Sequence, residues 1–273
     1  MPKKTITHKS ATAQQPPADL SPEAIQKALA TRTFGRRLHF QETMNSTQDE
    51  AHHLAFLDAP EGTLVLAESQ TAGRGRFQRV WISDPGGSLT FSLILKPKLA
   101  DLPKLNMLAC LAVLFSIRRY TGLPAKIKWP NDILIRGRKV CGILIDSQMR
   151  LDEVEYAIVG VGLNVNVDMK KYGDVPTATS ISHELGHPVS RTEMLAHIMA
   201  DMERLYESLQ KWDSIHDIWA LFLDTLGHDV AVRWGDTVER GRAESVDQDG
   251  NLMLRRPDGS LVRVVAGEVT LRV

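Results

Sequence analysis

At 273 residues, with 33 basic and 33 acidic side chains, the chain carries no net charge at neutral pH. That balance excludes a whole-molecule field for nucleic acid or an anionic membrane, so any anion site has to be local. A hydrophobic share of 43% is ordinary for a globular protein, and the length accommodates one large domain plus a small one.

Residues 1–20 carry Lys3, Lys4, Lys9, Gln14, Gln15, Pro16 and Pro17 with almost no apolar periodicity, which reads as a disordered tail. No apolar run followed by a small-residue cleavage site is present there, so a cytoplasmic location is expected. Ser21-Pro22-Glu23-Ala24 opens a short helix, with serine as cap and proline in the first turn, ending near residues 33–35. Asn45-Ser46-Thr47-Gln48-Asp49-Glu50-Ala51 is a second helix start, its polar caps preceding Leu54, Ala55 and Leu57.

Residues 63–68 and 88–95 read as strands. Residues 103–120 read as a buried helix; its apolar run, 107–117, is too short to span a bilayer. Cys110 and Cys141 both lie in apolar settings and read as small buried hydrophobes rather than a disulfide. No Cys, His and carboxylate set has zinc spacing, and His52-His53 is adjacent rather than one helical turn apart. Strands follow at 125–129, 133–135 and 139–146, the last two joined by an Arg136-Gly137-Arg138 turn.

From Val159 to Val167 the chain alternates: odd positions are apolar, even ones are Gly160, Gly162, Asn164 and Asn166. The bare second face suits either the floor beneath a flat ligand or close approach of a neighbouring backbone. Ser190-Arg191-Thr192-Glu193 fits a capping box, and the helix behind it carries a core stripe from Leu195 to Leu209. A further helix is expected at 215–223. Beyond residue 225 come short strands at 230–234, 242–246, 252–254 and 261–265, with hairpin signals at Asp249-Gly250 and Asp258-Gly259.

The chemistry concentrates in Gln70-Thr71-Ala72-Gly73-Arg74-Gly75-Arg76-Phe77-Gln78-Arg79-Val80-Trp81 and, downstream, Lys128-Trp129-Pro130-Asn131-Asp132. Glycines let backbone amides approach an anion, and arginines add fixed, forked charge. An arginine-glycine run alone equally describes a solvated turn or an RNA-binding patch. The two strings together, in this order and spacing, resemble the biotin protein ligases, over roughly residues 33–270.

That resemblance implies an α+β fold: a mixed-sheet catalytic domain of the biotin/lipoate ligase type at 33–224 and a small SH3-like β-barrel at 225–273, after a tail and short helix at 1–32. It implies ATP-dependent activation of biotin as biotinyl-5′-AMP and transfer to a lysine of a biotin carboxyl carrier domain. ATP and Mg2+ are then required, biotin is a substrate, and no cofactor is tightly bound. The biotin-contacting set carried over is Ser46, Thr47, Gln48, Gln70, Arg74, Gly75, Arg76, Lys139, Gly142, Ile143 and Leu144. The ATP set is Arg76, Arg79, Trp81, Lys128, Asn131, Asp132 and Asn164, with Asn131 and Asp132 able to reach Mg2+ through phosphate. Arg74, Arg76, Lys128 and Lys139 are the expected catalytic cations. Burial of Trp81 in the core is an equal alternative to contact with adenine.

The family usually has Ser-Thr-Asn where this chain has Ser46-Thr47-Gln48, so the amide sits one methylene further out. The segment ahead of the catalytic region points to the non-regulatory type, with no operator-binding domain, no membrane partner, and a homodimer allowed through the central sheet. Three rivals stand beside this reading. A lipoate–protein ligase shares fold and chemistry; an RNA-binding module and a DNA-binding biotin sensor are disfavoured by the neutral charge and by the missing recognition helix.

Overall fold

The computed structural model describes residues 19–173, 175–209, 215–265 and 267–271. The expected tail, save its last two residues, lies outside them. The first part of the chain runs α1 (Pro22–Ala28), β1 (Leu38–Met44), α2 (Thr47–Phe56), β2 (Leu64–Gln70), β3 (Ser88–Leu95), α3 (Lys104–Thr121), β4 (Ala125–Lys128), β5 (Asp132–Ile135), β6 (Arg138–Arg150) and β7 (Glu153–Asn164). It continues through α4 (Ile181–Leu185), α5 (Arg191–Ser208) and α6 (Ile215–Leu221) to five short strands, β8 (Asp229–Trp234), β9 (Thr237–Val246), β10 (Leu252–Arg255), β11 (Leu261–Val264) and β12 (Glu268–Leu271).

Strands β1 to β7 form one sheet in the order β1-β2-β3-β7-β6-β5-β4. Only β1 and β2 are parallel, because the crossover helix α2 joins them; the remaining pairs are antiparallel. Arg136 and Gly137 both take positive φ, 49° and 76°, which gives the tight turn anticipated between β5 and β6. Strands β8 to β12 form a separate antiparallel sheet, ordered β11-β10-β9-β8-β12. The architecture is thus α+β, a mixed sheet followed by a small antiparallel one.

The period of two along each strand decides what lies on either face of the large sheet. One face carries Leu66, Phe91, Leu93, Ile143, Val159, Val161 and Leu163 into the main core beneath α3 and α5. Most of α3 is buried, from Leu105 to Ile117, as its apolar run demands. On the opposite face α2 covers only part of the surface, closing a small core of Ala51, Ala55, Val65, Ala67, Ile94 and Ile158. The next residues on that face are Ser92 and Gly160, one step along their strands, and then Gly162. They lie beyond the helix and open onto a cavity.

Several expectations shift. Helix α1 ends at Ala28, where Leu29 turns extended, rather than near 33–35. The β1 strand was not anticipated: its outer residues are polar and exposed because it is a sheet edge. Ser190 caps α5 by accepting from Glu193 N, but the reciprocal half of the capping box is replaced, since Glu193 accepts the Tyr120 hydroxyl. No described helix is long and apolar enough to cross a membrane. Cys110 and Cys141 are buried free thiols, and burial pushes both well up from the ordinary thiol range.

Candidate active site

The cavity encloses about 260 Å³. Its first wall comes from the start of α2, where Ser46 caps the helix by accepting from Asp49 N. Thr47 N donates to Gln70 Oε1 at 2.8 Å, so the end of β2 is tied to the helix start. The Gln48 side chain runs back over the sheet: its Nε2 donates to Asp146 Oδ2 at 3.1 Å and to Ile158 O at 3.4 Å.

The floor is β7. A Cβ placed on Gly160 would stand 2.4 Å from Gln48 Oε1, and one on Gly162 would stand 2.3 Å from the Trp81 indole. Both glycines are therefore needed for close packing, but the groups packed there are side chains of this protein, not a neighbouring backbone. Trp81 is half-buried on that floor, and its Nε1 is sequestered with no hydrogen-bond partner among the described residues.

Between Gln70 and Trp81 the glycine-arginine loop closes on itself. Gly73 O accepts from Trp81 N at 2.9 Å and Gly75 N donates to Arg79 O at 2.7 Å. Gly73 is required here, since a Cβ would lie 2.4 Å from Trp81 O. At the loop tip Phe77 and Gln78 adopt left-handed φ of 54° and 58°.

The loop's three arginines point to three different partners. Arg74 Nη2 pairs with Asp49 Oδ1 at 2.6 Å and lies 3.5 Å from Asp146, beside the α2 wall. Arg76 Nη1 donates to Asn131 Oδ1 at 2.9 Å. Burial pulls its guanidinium below the ordinary arginine value while Asp132 and Glu268 oppose that, and it stays a fixed charge. Arg79 pairs with Glu268 of β12, linking the loop to the C-terminal sheet.

At the opposite end Lys139 Nζ pairs with Asp132 Oδ1 at 2.7 Å and stands 5.7 Å from the Trp81 ring centroid. Asn131 is fixed on both sides: its Nδ2 donates to Ile143 O and its own carbonyl accepts from Ile143 N. Trp129, nearly fully buried, donates its indole N–H to Gly250 O at 2.8 Å, so the tryptophan of this segment is an anchor for the C-terminal sheet.

Five cations, Arg74, Arg76, Arg79, Lys128 and Lys139, line the cavity against two carboxylates, Asp132 and Glu268. Among the described residues, Arg76 and Lys128 have no carboxylate within ion-pair distance. A chain with no net charge thus concentrates positive charge in one partly dry place, where it acts on a bound anion with little screening. Chemically, the arrangement offers polar groups able to read a small ring at one end and cations able to hold phosphate oxygens at the other, with a bare strand between them.

The model of the biotin/lipoate A/B protein ligase family matches residues 40–164, and that of the biotin protein ligase C terminal domain matches 225–272. The bifunctional ligase/repressor BirA of Bacillus spizizenii is 37% identical over 261 residues, covering 93% of this chain and 80% of the relative. The chain belongs to the biotin protein ligase family. The biotin–[acetyl-CoA-carboxylase] ligase of Paracoccus denitrificans is 34% identical over 214 residues, covering 75% of this chain and 88% of its own. Among solved structures, the Aquifex aeolicus biotin protein ligase in complex with biotin and ATP superposes with a TM-score of 0.74 at 26% identity, covering 87% of this chain and 99% of that one.

Every residue carried over from the family resemblance lines the one cavity except Asn164. Its side chain instead donates to Thr179 O at 3.1 Å, steadying the segment after β7. The resemblance left out Thr90 and Ser92 of β3, Asp146 of β6, His52 of α2 and Glu268 of β12. The first two were signalled by Ser88, Thr90 and Ser92 recurring every second residue within an otherwise apolar strand. Glu268 reaches the cavity through the docking of β12, and Asp146 with His52 comes to stand behind Gln48 through the register of the sheet, which no local pattern discloses.

Proposed function

We propose that this chain joins biotin to ATP as biotinyl-5′-AMP and then passes the biotinyl group to a lysine amine of a biotin carboxyl carrier domain. The observation that carries the reading is one continuous cavity. It runs from the polar wall of Ser46, Thr47, Gln48 and Gln70, along the glycines of β7, to the carboxylate-free cations Arg76 and Lys128. In the first step a biotin carboxylate oxygen attacks the α-phosphorus and pyrophosphate leaves. Arg76, oriented by Asn131, and Lys128 take up the charge developing on the phosphoryl oxygens. In the second step the carrier's neutral amine attacks the acyl carbon, AMP departs, and the amine loses a proton.

Until that amine arrives, Trp81 and the loop from Gly73 to Val80 shield the anhydride from water. The division of the chain at residues 33–224 and 225–273 follows the same reading, with Glu268 and Gly250 as the second unit's contributions to the first. The described residues hold no cluster of three or more metal-ligating side chains. Asp132 is a single carboxylate beside the cationic end, which is the way Mg2+ is ordinarily held when it arrives on a nucleotide. We place the reaction in the cytoplasm, where ATP is supplied and buried thiols such as Cys110 and Cys141 stay reduced.

The test supplies purified protein with ATP, Mg2+, biotin and a carrier domain, reading pyrophosphate release and mass gain on the carrier. Biotin-dependent release followed by labelling of one lysine is expected, whereas release with lipoate and not biotin overturns the reading. The similarity to relatives named bifunctional ligase/repressor gives duplex DNA binding a specific reason to be measured on the same protein.

A further inference from the structure

The loop over the cavity is a small two-stranded flap. Besides the hydrogen bonds from Trp81 N to Gly73 O and from Gly75 N to Arg79 O, Arg74 and Val80 pair across it as an antiparallel bridge. The approach to the flap is stitched to the chain entering α2. Thr47 N donates to Gln70 Oε1, Thr71 N to Met44 O at 3.0 Å, Ala72 N to Asn45 O at 2.8 Å and Thr71 Oγ1 to Asn45 Oδ1 at 2.9 Å. Beyond Gly73 this seam turns ionic: Arg74 Nη2 reaches Asp49 Oδ1 at 2.6 Å. Asp49 stands in the first turn of α2 and gives its own N–H to the Ser46 cap, so the anchor is firmly placed.

Arg74 lines the cavity, yet neither of its carboxylate partners does. The second of them, Asp146, lies 3.5 Å from Nη2 and is held in place by Gln48 Nε2 at 3.1 Å and His52 Nε2 at 3.3 Å from the same oxygen. One guanidinium is thus faced by two carboxylates, whereas among the described residues Arg76 and Lys128 face none within ion-pair distance. An anionic group of a substrate meets two competitors for Arg74 and none for the other two cations.

We propose that Asp49 is a positioning residue for the flap: paired with Arg74, it clasps the ribbon to α2 and sets how long the adenylate stays shielded. Arg74 fastens, while Arg76 and Lys128 hold the anion. The inference rests on the biotinyl-adenylate reading of the cavity and adds to it a helix residue that acts only through Arg74. The two side chains are 44% and 53% exposed, so the clasp is weak, worth about two- to five-fold in a rate. The other margin of the ribbon is tied by Arg79 to Glu268, so losing the clasp frees one side and leaves the flap in place. A fastening of that strength opens readily, as a flap that must later admit a lysine amine requires.

The test forms the adenylate on the full chain from labelled biotin and ATP with Mg2+. Formation is timed by pyrophosphate release in a single turnover, and escape by the loss of label from the protein after dilution into unlabelled biotin and ATP. In Asp49→Asn escape should quicken about two- to five-fold while formation stays within about two-fold of wild type. Asp49→Glu, which keeps the charge, should lose label at close to the wild-type rate. In an Arg74→Gln background, adding Asp49→Asn should change escape by less than about 1.5-fold, because the partner is already gone. An effect of the lost carboxylate on the helix alone would persist in that background.

Asp49→Ser, which also removes the charge, stands in should Asp49→Asn not fold. Equal acceleration with and without Arg74 overturns the proposal. Slower escape overturns it as well, since Asp49 would then be competing with the substrate for Arg74. A wild type that forms no adenylate fails at the first measurement and sinks the parent reading together with this one. Formation beside an unaltered escape rate in the Asp49 variant sinks this one alone.

Discussion

Replacing Gly162 by alanine sets one methyl group against the Trp81 indole. The new Cβ would lie 2.3 Å from Cε2 and 2.6 Å from both Cζ2 and Nε1, where ordinary contact begins at 3.4 Å. The indole has to retreat by roughly 1 Å, and three of its atoms oppose the methyl together. Gly162 sits on a central strand paired on both sides, with Thr90 and Gly142, so the floor does not yield. Overpacking of this kind costs about 1–3 kcal/mol. Because Trp81 sits on a loop and is only half-buried, the cost should fall on closure of the loop over ligand rather than on global folding. Biotin affinity should then drop roughly 5- to 150-fold, with a melting temperature close to wild type. Titration calorimetry and a thermal melt on the same preparation check both parts. In the double variant Gly162→Ala, Trp81→Ala, the added cost of the methyl group should largely vanish, since its opponent is gone. Wild-type affinity in Gly162→Ala, or an undiminished methyl penalty without the indole, would refute the packing argument.

Arg76→Gly removes the guanidinium that Asn131 orients, so kcat/KM for adenylation should fall by about 10²–10³, and the adenylate should be lost faster, read by trapping it on free amines. Asp146 is held below its ordinary pKa of 3.8 by its hydrogen bond from His52, against desolvation, with help from Gln48 and Arg74. A carboxyl depressed in the folded state contributes stability above its unfolded value and loses it as pH falls through the folded one. The stability gap between wild type and Asp146→Leu should therefore stay level from neutral pH to about pH 5 and close only below 3.8, followed by melts across pH. Glu203 accepts from the backbone N–H groups of Arg32, Thr33 and Phe34 at 2.7–2.9 Å, fastening the chain ahead of β1 to α5. Glu203→Ala should cost about 2–3 kcal/mol in denaturant unfolding and leave biotin affinity unchanged, because none of these groups reaches the cavity.

Much of the fold was legible because local signals agreed with one another. Ser46 and Ser190 cap the helices they were expected to cap, and β3 runs over the residues assigned to it. Alternation along residues 159–163 sorted core from cavity correctly, since β7 is central and each face meets a different environment. Two of the four edge strands, β4 and β11, were legible; the other two were not. β1 and β12 lie at sheet margins, where polar residues are tolerated and the pattern of two is blurred. The cavity was traceable through glycines and cations, whose chemistry is unusual wherever it occurs. The carboxylate behind Gln48 was not, because Asp146 comes near that side chain through the pairing of β6 with β7 and the crossing of α2, a juxtaposition 98 residues apart in the chain.

Lys128 and Trp129 are chain neighbours with unrelated duties. One ends a strand with its ammonium facing the cavity; the other is sunk between the two sheets and grips the turn at Gly250. A substitution survey would therefore record opposite signatures at adjacent positions, lost turnover in a sturdy protein at the first and a fragile protein at the second. It follows that the short antiparallel sheet is not an appendage that can be trimmed without consequence: the catalytic half leans on it through the Trp129 indole as well as through the Arg79–Glu268 pair.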